Sequence, residues 1–501
     1  MKQYLLIITI IVISLTSRSQ KPNNKMLSTK SDRSEYFIKL SSNRQRMEEY
    51  IQKHEESRLK ELAEFLSIPS ISSLAKHKKD VENAAAWLMT KCRNIGLTNS
   101  QIINTGGNPV VFAEWNKAKG KPTVLIYGHY DVQPVNEEEW NSKPFVAKRE
   151  GDNIYARGAA DDKGGLMIAV WAIETLLKTK GNLPVNVKCV FEGGEESGSP
   201  GFKQFLEENK QLLYADFAYN ADGGQWSETQ PNIWIGLRGI ATLEFTVKTA
   251  DKDAHSGIYG GKTPNAAKAM AEIISSFYTA DGRVAVKGFY DKVIPLTATE
   301  KETIKKVPYN AAKDMKQLGT TADVGDTNYS PLERIWFRPT LEVNGLWGGY
   351  TAKEGFATII PGSAHARISC RLVANQDAKE IIFLIKKHIE EHRSAATSIR
   401  YKDSDSGASP VKFPTDTKAF QSAYDVLEEV YHRQPLLTAL GGTIGAIADF
   451  RNMLGLYVYS FGFILDDENI HAANEFIRLS DIRKGQIAYC LLLQYIGDHA
   501  D

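Results

Sequence analysis

The chain lacks an excess of charge of either sign, because its 501 residues include 61 Lys and Arg against 60 Asp and Glu. This balance gives no indication of a polyanionic partner, so we expect no nucleic-acid binding. Cysteine is scarce as well, and the four cysteines lie far apart with no CxxC pair. Their spacing fits neither a thiolate zinc site nor a disulfide-dense scaffold.

Internal repeats and low-complexity tracts are also missing from the sequence. The content of hydrophobic residues is 42% and that of charged residues 24%, both ordinary for a folded soluble protein. These values exclude a disordered, collagen-like or multi-spanning membrane chain. At this length the chain exceeds one typical hydrophobic core, which favours two or three domains.

No apolar run is long enough to span a membrane. The run at residues 4–15 has about a dozen residues, whereas a spanning helix needs roughly 20. A basic start, this short run and the small residues Ser17 and Ser19 are typical of a secretory signal. We therefore predict a signal peptide at residues 1–19 and an exported protein, periplasmic or secreted, with no stable membrane span. An uncleaved anchor is the alternative, since Arg18 lies close to the expected cleavage site.

Beyond a polar stretch at residues 20–45, short apolar runs alternate with helical patterns. Residues 123–127, 185–191 and 217–221 are continuous apolar runs typical of buried parallel strands. A strongly apolar helix is predicted at residues 165–177, between the first two runs. This alternation predicts an α/β fold with a mixed, largely parallel sheet flanked by helices.

The pattern changes after residue 236. Residues 241–248 and 365–373 alternate between apolar and polar side chains, which suits a sheet with one buried face, and helices are predicted around 265–277 and 378–392. We therefore predict an inserted α+β domain. The predicted division is a signal peptide at 1–19, a flexible lead-in at 20–45, the first part of the main domain at 46–236, the inserted domain at 237–403 with a return linker at 401–407, and the second part of the main domain at 404–501.

Histidines and carboxylates concentrate directly after the predicted strands, where open α/β sheets place their sites. Together they offer two histidines and several carboxylates without a thiolate, which suits zinc first and manganese or cobalt next. One ion needs about four ligands, so six candidate groups indicate two divalent ions that share a carboxylate. The clusters are Gly128-His-Tyr-Asp131, Arg157-Gly-Ala-Ala-Asp161-Asp162-Lys-Gly-Gly165, Glu192-Gly-Gly-Glu195-Glu196, Asn220-Ala-Asp222 and Asn469-Ile-His471-Ala-Ala-Asn-Glu475.

Each cluster taken alone has a structural alternative. His129 fits a buried structural histidine, and two adjacent aspartates before a helix can simply cap it. The pair Glu195-Glu196 fits a solvated turn. However, neighbouring carboxylates repel one another unless a cation or a proton lies between them, which favours a metal site when all the clusters are considered together.

Four motifs occur along the chain in a fixed order. The motifs are Gly128-His-Tyr-Asp-Val-Gln-Pro134, Gly158-Ala-Ala-Asp-Asp-Lys-Gly164, Glu195-Glu-Ser-Gly-Ser199 and Asp253-Ala-His-Ser-Gly-Ile-Tyr-Gly-Gly261. They resemble those of the di-zinc aminoacylase/carboxypeptidase superfamily, and more narrowly those of its carnosinase and cytosolic nonspecific dipeptidase branch. The order is typical of that family, and the resemblance extends from about residue 50 to residue 495. It implies a catalytic domain and an inserted dimerisation (lid) domain.

The resemblance also implies the ligands of two zinc ions. His129 and Asp222 would hold one ion, Glu196 and His471 the other, and Asp161 would bridge the two. Asp161 is preferred to its neighbour because the bridging acid of the family stands two places before the lysine of the Asp-x-Lys-Gly run. A cis peptide after the bridging acid is expected by the same analogy.

The remaining roles also follow from the resemblance. A Gly-Gly-Thr sequence stands where the family usually has Gly-Gly-Ser, and Gly445 stands where a proline is usual, so the shape of the pocket stays open. The implied roles are general base for Glu195, orientation of His129 for Asp131, stabilisation of the oxyanion across a homodimer for His255, binding of the substrate carboxylate for Arg371, and the substrate loop for Gly442 and Thr443.

These roles predict hydrolysis of peptide bonds in dipeptides or related short substrates with a free carboxylate. The alternatives are an N-acyl amino acid amidohydrolase or a carboxypeptidase of the same superfamily, and a non-catalytic binding protein on the same fold. Two other readings fail on the residues present. The stretch Ser256–Thr263 lacks the first glycine of a P-loop and does not follow a buried strand, and Gly198-Ser-Pro-Gly201 is not a G-x-S-x-G elbow.

Overall fold

The structure is a computed structural model, and it describes residues 30–352, 354–402 and 407–499. The predicted signal peptide lies outside the described residues. Among the residues that the structure does describe, no helix combines the length and apolar character needed to cross a membrane.

Helices and strands alternate along most of the chain, and the helices have the following bounds. Short 3-10 helices occupy Ala75–His77, Glu137–Glu139 and Glu195–Ser197, and a short π-helix occupies Phe450–Leu454. The α-helices are α1 (Lys30–Lys39), α2 (Ser41–Leu66), α3 (Lys78–Ile95), α4 (Lys163–Lys180), α5 (Phe202–Glu208), α6 (Lys210–Leu213), α7 (Ser256–Tyr259), α8 (Ala266–Ser276), α9 (Ala298–Lys305), α10 (Ala311–Leu318), α11 (Pro331–Phe337), α12 (Ala378–His392), α13 (Lys418–Tyr431), α14 (Gly445–Asp449) and α15 (Leu479–His499).

The strands fall into one large mixed sheet, one antiparallel sheet and several small sheets. They are β1 (Asn99–Ile103), β2 (Val110–Trp115), β3 (Thr123–His129), β4 (Lys148–Glu150), β5 (Asn153–Tyr155), β6 (Asn186–Glu192), β7 (Phe217–Asn220), β8 (Gly224–Gln225), β9 (Asn232–Leu237), β10 (Gly239–Lys248), β11 (Ala254–His255), β12 (Thr340–Gly348), β13 (Ile359–Ile360), β14 (Ser363–Leu372), β15 (Ser398–Lys402), β16 (Gly407–Ala408), β17 (Val411–Lys412), β18 (Leu436–Leu440), β19 (Val458–Ser460), β20 (Ile464–Leu465) and β21 (Phe476–Arg478).

The large sheet has the strand order β1-β2-β6-β3-β7-β19. Its last four strands run parallel to one another, whereas β1 and β2 pair antiparallel. The three apolar runs predicted as buried strands correspond to β3, β6 and β7. The predicted α/β fold with a mixed, largely parallel sheet is therefore confirmed.

Helices cover both faces of this sheet, which explains why the central strands are apolar throughout. On one face α4 packs against β3 and against α2 and α15. On the other face the ring of Tyr127 contacts those of Phe202 and Phe450. Gly128 allows α4 to approach the end of β3, since a Cβ at this position would lie 2.7 Å from Asp162 Oδ2. The start of α4 is thus held against the carboxyl end of β3.

The second sheet has the order β12-β14-β10-β15, and β16 also pairs with β10. Residues along β10 alternate strictly between buried and partly exposed, as predicted for a sheet with one covered face. The covered face packs on α8 and α12. This α+β arrangement supports an inserted domain, and its limits at residues 237 and 403 stay a prediction.

The interpretation of residues 20–45 as a flexible lead-in is wrong from Lys30 onward, where α1 and the start of α2 are helical. The reason is tertiary packing. Phe37 is 7% exposed and its ring stacks on that of Tyr495 in α15, at a centroid distance of 5.7 Å. The hydroxyl of Tyr36 donates a hydrogen bond to Asp498 over 2.8 Å. The sparse aromatic residues of a polar segment thus dock it on the last helix.

The interpretation of residues 401–407 as a return linker is also wrong for its described residues. Tyr401 and Lys402 belong to β15 and pair with Phe245 and Glu244 of β10. Gly407 belongs to β16 and pairs with Ala241 of the same strand. The polar composition of the stretch reflects its position at a sheet edge, where backbone pairing stabilises a strand without apolar side chains.

Candidate metal centre

Three neighbouring parallel strands bring the predicted ligands to one edge of the large sheet. His129 is the last residue of β3 and lies opposite Glu192, the last residue of β6. The segment after β6 carries Glu196, and Asp222 follows β7 by two residues. Because parallel strands end at the same edge of a sheet, residues distant in sequence converge there.

Two groups of side chains at this edge share one member, Asp161. The first group is His129, Asp161 and Asp222, and the second is Asp161, Glu196 and His471. Within each group the potential ligand atoms lie within 4.8 Å of one another. The structure therefore brings together all five residues predicted as metal ligands, and places Asp161 where the two groups meet.

The carboxylate of Asp161 contacts a histidine with each of its oxygens. Oδ1 lies 3.0 Å from His129 Nε2, and Oδ2 lies 2.9 Å from His471 Nε2. His471 Nε2 is also 3.2 Å from Glu196 Oε2. A carboxylate that faces two separate ligand groups has the arrangement needed to bridge two ions.

The charges at this edge favour a cation. Burial, followed by the neighbouring Asp161 carboxylate, raises the pKa of Asp222 to about 7. Burial alone would lower the pKa of His129, but its hydrogen bonds to Asp131 and Asp161 raise it well above the ordinary value. Both shifts report a strongly negative potential, which divalent cations would neutralise. Nitrogen and oxygen donors without a thiolate fit zinc, manganese or cobalt.

Asp131 links the end of β3 to the turn that carries the predicted base. Its side chain is fully buried, with Oδ1 3.3 Å from His129 Nδ1. The same Nδ1 lies 3.1 Å from the main-chain oxygen of Asp131. The carboxylate also accepts hydrogen bonds from the N–H groups of Glu195 and Glu196, over 3.2 and 3.1 Å. Asp131 thus fixes the ring of one predicted ligand and the backbone of another, as expected for a residue that orients a metal-bound histidine.

The two adjacent aspartates have different surroundings. Asp161 faces the two histidines, whereas Asp162 Oδ2 accepts a hydrogen bond from the N–H of His129 over 3.1 Å. The peptide bond between the aspartates is cis, as the family resemblance implies. A Cβ on Gly165 would lie only 2.0 Å from Asp162 Oδ1, so the glycine leaves the space that this carboxylate occupies. The geometry agrees with the choice of Asp161 as the bridging residue.

Glu195 lies beside the ligands without being a member of either ligand group. Burial raises the pKa of its carboxyl well above the ordinary value. His129 acts in the opposite direction, and Asp222 raises the pKa further. A carboxyl group with a raised pKa can hold a proton near neutral pH, which is the property expected of a general base that later acts as an acid.

His255 lies apart from the ligands, on the exposed part of β11. Its Nδ1 accepts a hydrogen bond from the N–H of Gly257 over 3.0 Å. Over the ranges that the structure describes, no hydrogen bond joins His255 to a predicted metal ligand. Its predicted role across a dimer therefore stays a prediction.

Arg371 and the Gly-Gly-Thr segment meet at the junction of β14 with the main domain. Arg371 Nη1 donates a hydrogen bond to Thr443 Oγ1 over 2.8 Å, and this hydroxyl donates to the main-chain oxygen of Arg238 over 2.7 Å. Gly442 is the residue before Thr443 in this segment. Two of the residues that the resemblance assigns to substrate binding, Arg371 and Thr443, are therefore in direct contact, whereas His255 lies apart from them in β11.

Three residues with clear structural roles were not singled out from the sequence. Gln133 Nε2 donates a hydrogen bond to Glu196 Oε2 over 2.6 Å, and it stands in the quoted Tyr-Asp-Val-Gln-Pro motif. Glu475, which closes the His471 motif, accepts hydrogen bonds from the segment around Asp161. Arg238 Nε donates to the main-chain oxygen of Gly441 over 2.8 Å. Burial, followed by the neighbouring Arg371, lowers the pKa of Arg238 to about 10.

Comparisons with known proteins find a matching sequence family and similar relatives. Residues 125–495 match the sequence family described as Peptidase family M20/M25/M40. The chain is 27% identical to Cys-Gly metallodipeptidase DUG1 of Candida albicans, over 88% of this chain and 94% of the relative. It is 26% identical to Beta-Ala-His dipeptidase of Rattus norvegicus, over 85% of this chain and 90% of the relative.

A solved structure shares the fold over nearly its whole length. The M20 family metallo-carboxypeptidase Sso-CP2 from Sulfolobus solfataricus superposes with a TM-score of 0.79 and 33% sequence identity. The match covers 88% of this chain and 99% of that structure.

Proposed function

The chain belongs to Peptidase family M20/M25/M40 and is a metallopeptidase, and we propose that it hydrolyses dipeptides or closely related short peptides with a free carboxylate. The chain covers almost the full length of two metallodipeptidase and dipeptidase relatives. A complete set of candidate ligands argues against a non-catalytic binding protein on this fold.

The observation that carries the proposal is the position of Asp161 between two ligand groups. We propose that His129, Asp161 and Asp222 hold one divalent ion, and that Asp161, Glu196 and His471 hold the second. Zinc is the first candidate for both ions because each group combines imidazole with carboxylate ligands. When bound, divalent ions in such a site act as Lewis acids and lower the pKa of water.

Glu195 moves the proton in this proposal. Its carboxylate accepts a proton from the attacking water and later delivers it to the nitrogen of the leaving amine. Asp131 holds the N–H groups of Glu195 and Glu196 in place, so the base and the ligand beside it share one anchor. His255 of a second copy would stabilise the negative charge that develops on the carbonyl oxygen.

Arg371 and Arg238 provide the site for the carboxylate of the substrate. The Arg238 guanidinium is anchored on the main-chain oxygen of Gly441, and Arg371 is held by Thr443. Two guanidinium groups close together are unfavourable unless an anion joins them, and a carboxylate can accept hydrogen bonds from both of its oxygens. Gly442 and Thr443 would then contact the substrate beside its carboxylate.

A second candidate is an N-acyl amino acid amidohydrolase or a carboxypeptidase. The likeness to a metallo-carboxypeptidase of known structure favours this alternative. The threonine at position 443 also stands where the family usually has serine, which leaves the pocket shape open. Both candidates use the same ligands and the same base.

The decisive experiment is a substrate panel on purified protein. The protein is stripped with a chelator, loaded with zinc or manganese, and assayed with dipeptides, N-acetyl amino acids and longer peptides. We expect turnover of dipeptides to exceed that of the other two classes. Preference for N-acetyl amino acids or for carboxyl-terminal trimming of longer peptides would favour the second candidate. No metal-dependent turnover of any of them would overturn the proposal.

We propose further that the protein is a homodimer through its second sheet. Strand β12 is at the edge of that sheet, and exposed apolar side chains lie within it and after it. Leu346 is 55% exposed and Phe356 88% exposed. An exposed edge strand with apolar side chains is a site for pairing with another chain. Analytical ultracentrifugation of Leu346→Glu should show dissociation, whereas Phe383→Glu, on α12, should stay dimeric.

Export remains part of the proposal as well. A basic start and a short apolar run within residues 1–19 support it. Expression of the full chain in a bacterial host, followed by cell fractionation and mass spectrometry of the intact protein, tests it. We expect a species that begins near residue 20 in the exported fraction, and an unprocessed chain in the cytoplasm would contradict export.

A further inference from the structure

Glu475 is a buried carboxylate surrounded by donors from one segment. Its side chain is 0% exposed and stands directly before β21. Oε1 accepts hydrogen bonds from the N–H groups of Ala160 and Asp161, over 2.9 and 3.0 Å. Oε2 accepts from the N–H of Gly158 over 3.0 Å and from Arg157 Nη1 over 2.7 Å. All four donors belong to residues 157–161, the segment that ends at the predicted bridging ligand.

Glu475 also closes the segment that carries the other predicted ligand. Asn469, His471 and Asn474 all have positive φ, at 57°, 61° and 60°. This left-handed conformation is uncommon for residues other than glycine, so contacts from outside must hold the segment. The main-chain oxygen of Glu475 accepts a hydrogen bond from the N–H of Ala156 over 3.1 Å.

Arg157 completes the link between the two segments. Its Nη1 pairs with Glu475, and its Nη2 donates to the main-chain oxygen of Ala472, the residue after His471, over 3.1 Å. The buried ion pair of Arg157 and Glu475 therefore contacts the backbone next to Asp161 and the backbone next to His471. Charge-assisted hydrogen bonds of this kind are stronger than hydrogen bonds between neutral groups, and they restrict the relative orientation of the two partners.

We propose that Glu475 is a positioning residue that sets the distance and orientation of Asp161 relative to His471. It thereby sets the distance between the two proposed cation sites. The inference rests on the proposed function, because it assumes that both residues bind ions. Glu475 belongs to neither of the two ligand groups. It acts through the backbone of residues 158–161, as residues that orient metal ligands do.

Glu468 provides a matched control in the same segment. It is also 0% exposed, and it accepts hydrogen bonds from the N–H groups of Leu465 and Arg478 and from Arg478 Nη1, over 2.8, 3.0 and 3.2 Å. None of these donors comes from a predicted metal ligand. Replacing either glutamate with glutamine alters one buried carboxyl group of the segment, but of the two only Glu475 accepts hydrogen bonds from the segment of Asp161.

The test compares Glu475→Gln with Glu468→Gln. Zinc affinity is measured by chelator competition, and backbone exchange of residues 158–161 by hydrogen–deuterium exchange of metal-free protein. The change to Gln turns one acceptor into a donor that faces Gly158 and Arg157. We expect roughly 10- to 100-fold weaker zinc binding, a typical effect of losing a residue that orients a ligand. We also expect faster exchange at residues 158–161 and a fall in kcat larger than the change in KM.

Glu468→Gln should keep zinc affinity within about threefold of the unmodified protein, with unchanged exchange at residues 158–161. Two results would overturn the inference: unchanged zinc affinity in Glu475→Gln, or an equal loss of affinity in both variants. If Glu475→Gln does not fold, Glu475→Asp replaces it, because its shorter side chain cannot reach all four donors. Unchanged zinc affinity in that variant would also overturn the inference. If the unmodified protein itself binds no ion, the proposed function fails instead.

Discussion

Asp161 lies between two imidazole rings, with Oδ1 3.0 Å from His129 Nε2 and Oδ2 2.9 Å from His471 Nε2. The two histidines are 342 positions apart in the sequence, and the Asp161 carboxylate contacts both. Burial opposes the charged form of Asp161, but the hydrogen bonds to both histidines lower its pKa below the ordinary range. Asp161 is therefore an ionised carboxylate at neutral pH with one oxygen directed to each ligand group.

Glu195→Gln should abolish turnover and leave metal binding intact. Glu195 belongs to neither ligand group, so the ions should stay bound while proton transfer is lost. General acid–base catalysis typically contributes a factor of roughly 100 to 10,000, and kcat should fall by at least that much. Steady-state kinetics and elemental analysis of the same sample measure both quantities. The control is Glu207→Gln, an exposed residue of α5, and near-normal kcat in Glu195→Gln would remove Glu195 from the mechanism.

Removal of the ions should lower stability as well as activity. Without cations, the carboxylates of Asp161, Glu196 and Asp222 repel one another at the edge of the sheet. An ion that binds only the folded protein stabilises it by about 2.7 kcal/mol at a concentration of 100 times Kd. We expect a chelator to lower the Tm and abolish turnover, and zinc to restore both. Full turnover in a chelator, with an unchanged Tm, would contradict the metal site.

Arg371→Lys should weaken binding of substrates that carry a free carboxylate. A lysine keeps the charge but loses the planar fork that binds both oxygens of a carboxylate. Hydrogen bonds to charged groups contribute about 1.5–3 kcal/mol, so KM should rise by roughly 10- to 100-fold. The control is Arg367→Lys on the same strand, where the arginine pairs with Glu244 at the surface. A dipeptide amide should show little change in KM, and an equal rise for the amide and the free acid would rule out this role.

His255 should act on the active site of the partner copy. Alone, His255→Ala and Glu195→Gln should each be inactive. When the two variants are mixed and exchange subunits, half of the dimers contain both, and one of the two sites in each has an intact base and an intact histidine. About a quarter of the unmodified activity should return, as symmetry requires for a C2 dimer. No recovery after verified subunit exchange would place His255 outside the mechanism.

Glu468 should make stability fall as the pH rises. Burial raises the pKa of Glu468 from its ordinary value of 4.5 to about 8 in the folded protein. The hydrogen bond from the Leu465 N–H and the charge of Arg478 lower the pKa, but by less than burial raises it. Between these values the folded state binds the proton and the unfolded state does not, so the free energy of unfolding decreases with increasing pH. Urea unfolding from pH 5 to pH 8 should show a shallower decrease in Glu468→Gln. An identical pH dependence in both proteins would contradict the raised pKa.

Three predicted ligands, His129, Glu196 and Asp222, could be proposed from the sequence because each follows an apolar run that forms a strand of the large sheet. Asp161 and His471 follow strands of smaller sheets and were proposed from the resemblance of their motifs. His129 and Asp222 stand at strand ends, and the order of the motifs is visible in the sequence itself. Residues that act through the backbone could not be predicted in this way. Glu475 and Arg157 carry no spacing signal, since they pair with each other and with main-chain groups that the fold brings close from distant parts of the sequence.

The fold errors have a similar origin. The segment around Phe37 is polar in composition, and its helix depends on docking against Tyr495, more than 450 residues away. Tyr401 and Gly407 pair with β10 through their backbones, which composition does not reveal. Local patterns predicted the buried central strands well because both faces of those strands are apolar. They failed where a polar segment is held by distant contacts.

The most direct test is the anomalous scattering of zinc in crystals of the zinc-loaded protein, recorded on both sides of the zinc absorption edge. The account predicts two anomalous peaks in each subunit, one beside His129 and Asp222 and one beside Glu196 and His471, with the Asp161 carboxylate between them. A fully active crystal with a single peak, or with no peak beside Asp161, would contradict it.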